Sequence, residues 1–311
     1  MIKDIFFIIS ICCIPLLYRF VTETLATIHT GSWALDLRYG ALGFDINMQP
    51  VKEAYSPFYY YIWLATYILY LVDIDKKHWV KTTIMGALLI AFAFCTMAKL
   101  ILLEFGFITL FILYQKHILR AKHILIGLAA ILTLMVALNA IRSSTQVDGE
   151  QVSNIFEDYV LCSLAAFDTL SPASTHTWGE NTFRIYYAIM YKLGFSNTAP
   201  VATILPWITK PVFTNTYTCM YPFYVDFGNI GVCIFALISG LFYGWVYKKH
   251  ICGSIYFTAL YAYLCYSIVM QFDSELIITN LSGTIKFAML LMIAYLASHY
   301  RLFIVSKKTD E

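Results

Sequence analysis

The feature that most constrains this chain is the recurrence of apolar runs long enough to cross a bilayer. Such runs occupy residues 4–20, 56–72, 122–141, 227–247, 252–270 and 285–305. A helix needs about 20 mostly apolar residues to span the hydrocarbon core. Lipid admits only helices and closed barrels, because every backbone polar group there must be satisfied internally. Composition agrees: 60% of the residues are hydrophobic, 13% are charged and the mean hydropathy is +0.69. A soluble domain carries about 25% charged residues. The chain reads as an all-α polytopic membrane protein, one integral membrane domain over residues 1–311. Lys3 precedes the first run, but no small-residue cleavage site follows it, so it reads as a retained span and not a removed signal peptide.

Loop charge sets the number of crossings. The run 79–119 is broken by Lys99 and Glu104; Lys76, Lys77 and Lys81 precede it, and Lys116, Arg120 and Lys122 close it. Both flanks read as cytoplasmic, so this run crosses twice and turns near residues 95–99. From 142 to 226 the cations Arg142, Arg184, Lys192 and Lys210 are outnumbered by Asp148, Glu150, Glu157, Asp158, Asp168, Glu180 and Asp226. Lys248, Lys249, Lys307 and Lys308 then fall on the opposite, cytoplasmic side. The expectation is about eight transmembrane helices with both termini in the cytoplasm.

Two extracytoplasmic segments are large. The first, 21–55, has Arg19 at its membrane edge and then Glu23, Asp36, Arg38, Asp45, Lys52 and Glu53. The second, the loop 142–225, carries most of the polar chemistry. Phe156, Tyr159, Val160, Leu164 and Phe167 recur at helical spacing, which predicts an amphipathic helix over 154–168. A second is expected over 182–193 with Gly194 as its C-cap, and Pro206, Trp207 and Pro211 mark a turn within 204–213. Such helices lie on or dip into the outer leaflet. The stretch 215–247, NTYTCMYPFYVDFGNIGVCIFALISGLFYGWVY, joins a polar, aromatic lip directly to a span. In that span Gly240 and Gly244 have the small-xxx-small spacing that permits close helix approach.

Several residues are candidates for chemistry. Lys99 sits at the outer edge of a span, where a costly charge either meets an anionic ligand or snorkels; Glu104 pairs within the bundle. Arg142 and Arg184 have the planar fork that grips phosphate, whereas Lys192 and Lys210 suit boundary anchoring. Asp168, Glu180 and Asp226 adjoin Phe167, Trp178 and Phe227. Such surroundings raise a carboxylate's pKa toward that of a general base; the alternative is helix capping by Asp168 and Asp226. His176 is either a proton carrier or an ordinary loop histidine. Asp73 and Asp75 echo a metal-binding acidic pair but stand at a solvated helix end beside lysines, so no metal is expected. Six cysteines lie in apolar runs; Cys162 and Cys219 lie in the long loop, where a disulfide between them is an option on an oxidising side.

Four stretches in order carry a resemblance. The run NTYTCMYPFYVDFGNIGVCIFALISGLFYG resembles the signature of bacterial oligosaccharide repeat-unit polymerases, the O-antigen polymerases of lipopolysaccharide assembly. YVLCSLAAFDTL (159–170), GENTFRIYYAIMYKLGF (179–195) and MAKLILLEFGFITLFILYQK (97–116), with residues 139–142 closing the next span, are similar to further segments of that family. The resemblance covers about 97–270 of the sequence. Family members often carry arginine where this chain has Lys99, and many have two more N-terminal spans.

The resemblance implies a metal- and nucleotide-independent glycosyltransferase at the periplasmic face of the bacterial inner membrane. Its donor would be an oligosaccharide on undecaprenyl pyrophosphate, its acceptor a single lipid-linked repeat unit. On that reading Arg142, Arg184 and Lys99 attend the pyrophosphate, with Lys210 and Glu180 near the substrate. Asp168 or Asp226 is the base. Asn181, Asn215 and Tyr217 contact sugar, and Trp178, Tyr217 and Tyr221 stack on it. Membrane lipid, a flippase and a chain-length regulator of the same pathway are the implied partners; no cofactor and no nucleic acid is expected. A ligase moving finished glycan is the alternative enzyme. A polysaccharide transporter is the alternative class, disfavoured because the polar residues cluster in an outer loop and not at the midplane.

Overall fold

The computed structural model describes residues 2–43, 58–74, 78–144, 161–170, 178–202, 205–206, 208 and 214–309. Among these residues the chain is all-α, and the extended pairing recorded is an isolated bridge between Ile208 and Thr214. The helices are α1 (Ile2–Cys12), α2 (Ile14–Thr27), α3 (Trp33–Leu42), α4 (Phe58–Val72), α5 (Trp79–Cys95) and α6 (Lys99–Gln115). They continue as α7 (Ala121–Ser144), α8 (Cys162–Asp168), α9 (Arg184–Lys192), α10 (Tyr221–Ile251), α11 (Ile255–Val269) and α12 (Leu281–Thr309). Among the described residues three helical stretches are long and apolar enough to cross a membrane: Lys3–Thr27, Tyr221–Ile251 and Ile255–Phe272. Phe58–Val72, Trp79–Cys95, Lys122–Leu138 and Leu281–Leu296 are apolar but shorter. Ile234, Leu237, Leu241 and Trp245 of α10 are all exposed. Water would drive such a surface inward, whereas hydrocarbon leaves it where it is, as in a membrane protein.

The chain divides into two compact units. The first comprises Met1–Val152, Thr258–Tyr263 and Lys286–Glu311. Its centre is α4, buried on every side from Tyr59 to Val72 except at Leu69, as befits a helix that is apolar all round. Phe92 of α5 packs against Tyr59, Tyr60 and Trp63. The Trp63 indole donates to the Ser10 carbonyl at 2.9 Å, and the Ser10 and Thr66 hydroxyls meet at 3.1 Å. Lys3 pairs with Asp73, and Lys81 with Asp4, so the start of α1, the end of α4 and the start of α5 stand at one level. Asp73 of the acidic pair is thus an ion-pair partner; Asp75 lies outside the described residues.

The run 79–119 does break where loop charge required. Between α5 and α6 the chain turns through Thr96, Met97 and Ala98, with Met97 at φ 50° and the Ala98 N–H bonded to the Ala93 carbonyl. The first apolar run, expected to end at residue 20, stays helical to Thr27. Arg19 and Glu23 pair one turn apart, and the Thr27 hydroxyl donates to the Glu23 carbonyl, so polar residues extend the helix without unmet groups.

The second unit comprises Ser153–Phe257 and Leu264–Ile285. The helix expected over 182–193 forms as α9, with Gly194 just beyond it at φ 77°. Of the amphipathic segment 154–168, α8 is described; residues 154–160 lie outside the described residues, as do His176 and most of 204–213.

Candidate active site

The second unit is organised by Gly228, which interrupts α10 at φ 64° and ψ −156°, a conformation open almost only to glycine. Twelve residues of unbroken helix would separate Phe223 from Phe235 by about 18 Å. Instead their rings stack at 4.6 Å and 5°. The chain folds at Gly228, so a short arm (221–227) runs back along the long arm (229–251). Gly231 makes the return possible: a Cβ there would stand 2.4 Å from the Phe227 Cβ and 2.6 Å from the Phe223 carbonyl oxygen.

Asp226 lies near the fold, 6% exposed. Its carboxylate accepts from the Asn181 side-chain amide at 2.8 Å, the Thr182 N–H at 2.7 Å and the Asn181 N–H at 3.4 Å. The Thr182 hydroxyl donates to the Pro222 carbonyl at 3.2 Å. Asp226 therefore caps the turn that leads into α9, and does not cap the start of its own span. Phe227 meets the edge of Trp178 at 5.2 Å, while Trp178 stacks on Phe183 at 5.6 Å. Trp178 remains 71% exposed and offers a face to a ligand. The Tyr187 hydroxyl donates to the Trp178 carbonyl. Its pKa is raised by burial, then by Tyr186 and the nearby Glu180 and Asp226 carboxylates.

Arg184 opens α9. It is half-buried, and its Nε donates to the Val201 carbonyl at 2.8 Å; burial draws its pKa below the usual guanidinium value. A cation at a helix N-terminus is opposed by the macrodipole, so an anion arriving there would be doubly favoured. Asp168 is exposed at the end of α8, whose Phe167 packs on Tyr224 at 5.1 Å.

Trp178, Glu180, Asn181, Arg184 and Asp226 thus gather around one turn. Tyr217 does something else: 1% exposed, it packs with Ala166 and Tyr221 and donates to the Pro206 carbonyl at 3.0 Å, which makes it a core residue of the loop. Asn215 is half-buried close by in sequence. Lys210 and the Arg142 side chain lie outside the described residues. Lys99 belongs to the first unit, buried at the start of α6, and Glu104 there accepts from the Tyr60 hydroxyl. Cys162 and Cys219 are not joined in a disulfide.

Sequence reasoning missed the segment after α11. The Ser163 hydroxyl donates to the Phe272 carbonyl at 2.7 Å and the Cys219 N–H to the Gln271 carbonyl at 2.9 Å. Directly after these anchors Asp273 is 1% exposed; its Oδ2 accepts from Ser274 at 3.0 Å, and its Oδ1 has no hydrogen-bond partner among the described residues. Burial pushes this carboxyl up to about 6. The sequence signal was the run Asp273-Ser274-Glu275 between two apolar stretches. No protein-family model, curated protein or solved structure matches this chain.

Proposed function

We propose that the protein is a membrane glycosyltransferase, an O-antigen polymerase that joins undecaprenyl-pyrophosphate-linked repeat units at the periplasmic face of the bacterial inner membrane. One observation carries the reading. Asp226 bonds Asn181 and Thr182, so the two stretches richest in family-like residues, GENTFR and YPFYVDFG, are one construction 45 residues apart in sequence.

The reaction forms a bond between an acceptor hydroxyl oxygen and the donor's anomeric carbon, and breaks the bond from that carbon to the pyrophosphate oxygen. It needs a base, cations for the leaving group and a surface for sugar. Asp226 uses both oxygens to hold the α9 turn, so in this reading Asp168 takes the proton. Arg184, whose place on α9 favours an anion, attends the pyrophosphate. The exposed ring of Trp178 supports a sugar face, flanked by Glu180 and Asn181.

The proposed topology has eight spans and both termini inside. Two sets of contacts agree with it. Cys219 and Ser163 bond residues 271 and 272, as a loop and a segment two crossings later must if both lie outside. The Lys3–Asp73 and Asp4–Lys81 pairs gather ends assigned to the inside.

Deleting the gene and running surface lipopolysaccharide on a gel tests the function. A ladder that collapses to core plus one repeat unit supports polymerase. Loss of all attached glycan, with lipid-linked polymer accumulating, points to ligase. An unchanged ladder overturns both enzymatic readings for that glycan.

A further inference from the structure

The fold at Gly228 leaves a cleft in the second unit, lined by none of the residues given a role in the reaction above. It has a volume of about 360 Å³ and lies between the start of the short arm, the long arm of α10, the end of α11 and residues 271–276. That is within the usual range of small-molecule sites, about 300–1,000 Å³.

Its chemistry is divided. The stacked pair Phe223 and Phe235 makes an apolar wall, continued by Ile268. Across from it stands a polar group. The Tyr243 and Ser267 hydroxyls meet at 3.1 Å, and the Ser267 hydroxyl donates to the Leu264 carbonyl at 2.9 Å. Tyr243 therefore donates to Ser267 and keeps its own lone pairs as acceptors, with the Gln271 side chain in hydrogen-bonding reach. Ser239 and Ser274 add hydroxyls.

Charge narrows the occupant. Among the described residues no lysine, arginine or histidine lines the cleft, and the one acid that does is Glu275. That carboxylate caps a turn, accepting from the Ile277 and Ile278 N–H groups at 2.9 Å each and from the Thr279 N–H at 2.6 Å. Nothing there would neutralise a phosphate, so the pyrophosphate belongs elsewhere. A purely apolar chain would offer nothing to the Ser239 hydroxyl or to the acceptor lone pairs of Tyr243, and a buried polar group left unmet costs about 1–3 kcal/mol. A ligand with one apolar face and a rim of hydroxyls satisfies both walls, because aromatic rings accept sugar C–H faces and serine, tyrosine and glutamine accept or donate to sugar hydroxyls.

We propose that this cleft binds a neutral saccharide unit, with Phe223 and Phe235 against its face and Ser239, Tyr243 and Gln271 on its hydroxyls. The proposal rests on the glycan reading above and adds to it a sugar site separate from the phosphate-binding cation.

The test uses the full-length protein in detergent micelles. The probe is the dephosphorylated repeat-unit oligosaccharide released by mild acid from lipid-linked intermediates. Saturation-transfer NMR reads binding in the wild type, in Ser239→Trp and Gln271→Ala, and in Leu237→Trp, which places the same indole on the exposed face of α10. The expected result is binding by the wild type and Leu237→Trp. Ser239→Trp and Gln271→Ala should each lose about ten-fold, the loss that one ordinary hydrogen bond carries. Thermal unfolding confirms that each variant is folded. Equal binding by all four proteins overturns the proposal, as does no binding by the wild type. Displacement of the sugar by a neutral polyprenol shows a lipid slot and also overturns it. The ladder assay separates the two readings. Cleft variants that bind sugar normally, beside a deletion that collapses the ladder, sink the site alone. Cleft variants that lose sugar, beside a deletion that leaves the ladder intact, sink the polymerase alone.

Discussion

Phe223 and Phe235 stack face to face at 4.6 Å although they stand twelve positions apart along α10. That contact exists only because Gly228 reverses the chain and Gly231 lets the short arm close. Replacing Gly228 by alanine forces an L-residue into φ 64° and ψ −156°, at roughly 1–3 kcal/mol. Gly231→Ala drives a methyl into the Phe223 carbonyl. Gly240→Ala meets open space and should stay within about 0.5 kcal/mol of the wild type. Thermal unfolding in detergent compares the three. Equal midpoints for Gly228→Ala and Gly240→Ala would rule out the folded-back arm.

Asp226 ties that arm to the α9 turn, and the strength of the tie is measurable. Its hydrogen bonds are of the charged kind, worth about 1.5–3 kcal/mol each. Asp226→Ala removes them and leaves the buried Thr182 N–H unmet, so it should destabilise strongly. Asp226→Asn keeps an acceptor but turns a donor toward Asn181 or Thr182, and should fall between. A double-mutant cycle with Asn181→Ala should show a coupling above about 0.5 kcal/mol. Additive single effects would show that the two residues do not interact.

Legibility followed how local each cause is. The break between α5 and α6 was readable because lysines on both flanks demanded an even number of crossings, and α9 was readable from its spacing and Gly194. The fold at Gly228 was not, because hydropathy runs on through it and a reversal leaves the apolar pattern unchanged. Gly240 and Gly244 drew notice for their spacing, yet both face open space, while Gly228 and Gly231 carry the geometry. The Asp226–Asn181 bond could not be foreseen, since nothing local links residues 45 apart. The resemblance implied a sugar contact at Tyr217, whose hydroxyl donates to the Pro206 carbonyl. The number of spans stays with loop charge: α4 and α5 have 15 and 17 residues, short of the length at which hydropathy alone decides.

Asp273 should give stability an acid-side dependence. Burial raises its carboxyl from 3.8 to about 6, so the folded state holds a proton that the unfolded state releases. Its contribution is present in full below pH 4. It declines as pH rises through the window from about 4 to 6, and is flat above. The shift corresponds to roughly 3 kcal/mol at most. Asp273→Asn removes the titration, so the variant should gain on the wild type progressively across that window. Unfolding midpoints measured from pH 4 to 8 test this. A constant difference between the two proteins would show that Asp273 ionises normally.

The division of labour between the two aspartates yields the sharpest test of the proposed chemistry. Asp168 is exposed and free of the capping that occupies Asp226, so Asp168→Asn should leave the unfolding midpoint within about 0.5 kcal/mol yet slow polymerisation by about 10²–10⁴-fold, the range for a lost general base. Asp226→Asn should lower both together. Arg184→Lys keeps the charge but loses the planar fork, and should weaken use of the pyrophosphate donor more than it alters stability. Purified protein with lipid-linked repeat units, read as chain length on a gel against time, separates these cases. An Asp168→Asn enzyme that polymerises at the wild-type rate would remove Asp168 from the mechanism. If Asp226→Asn then lost activity at full stability, the base would be the residue that also holds the turn.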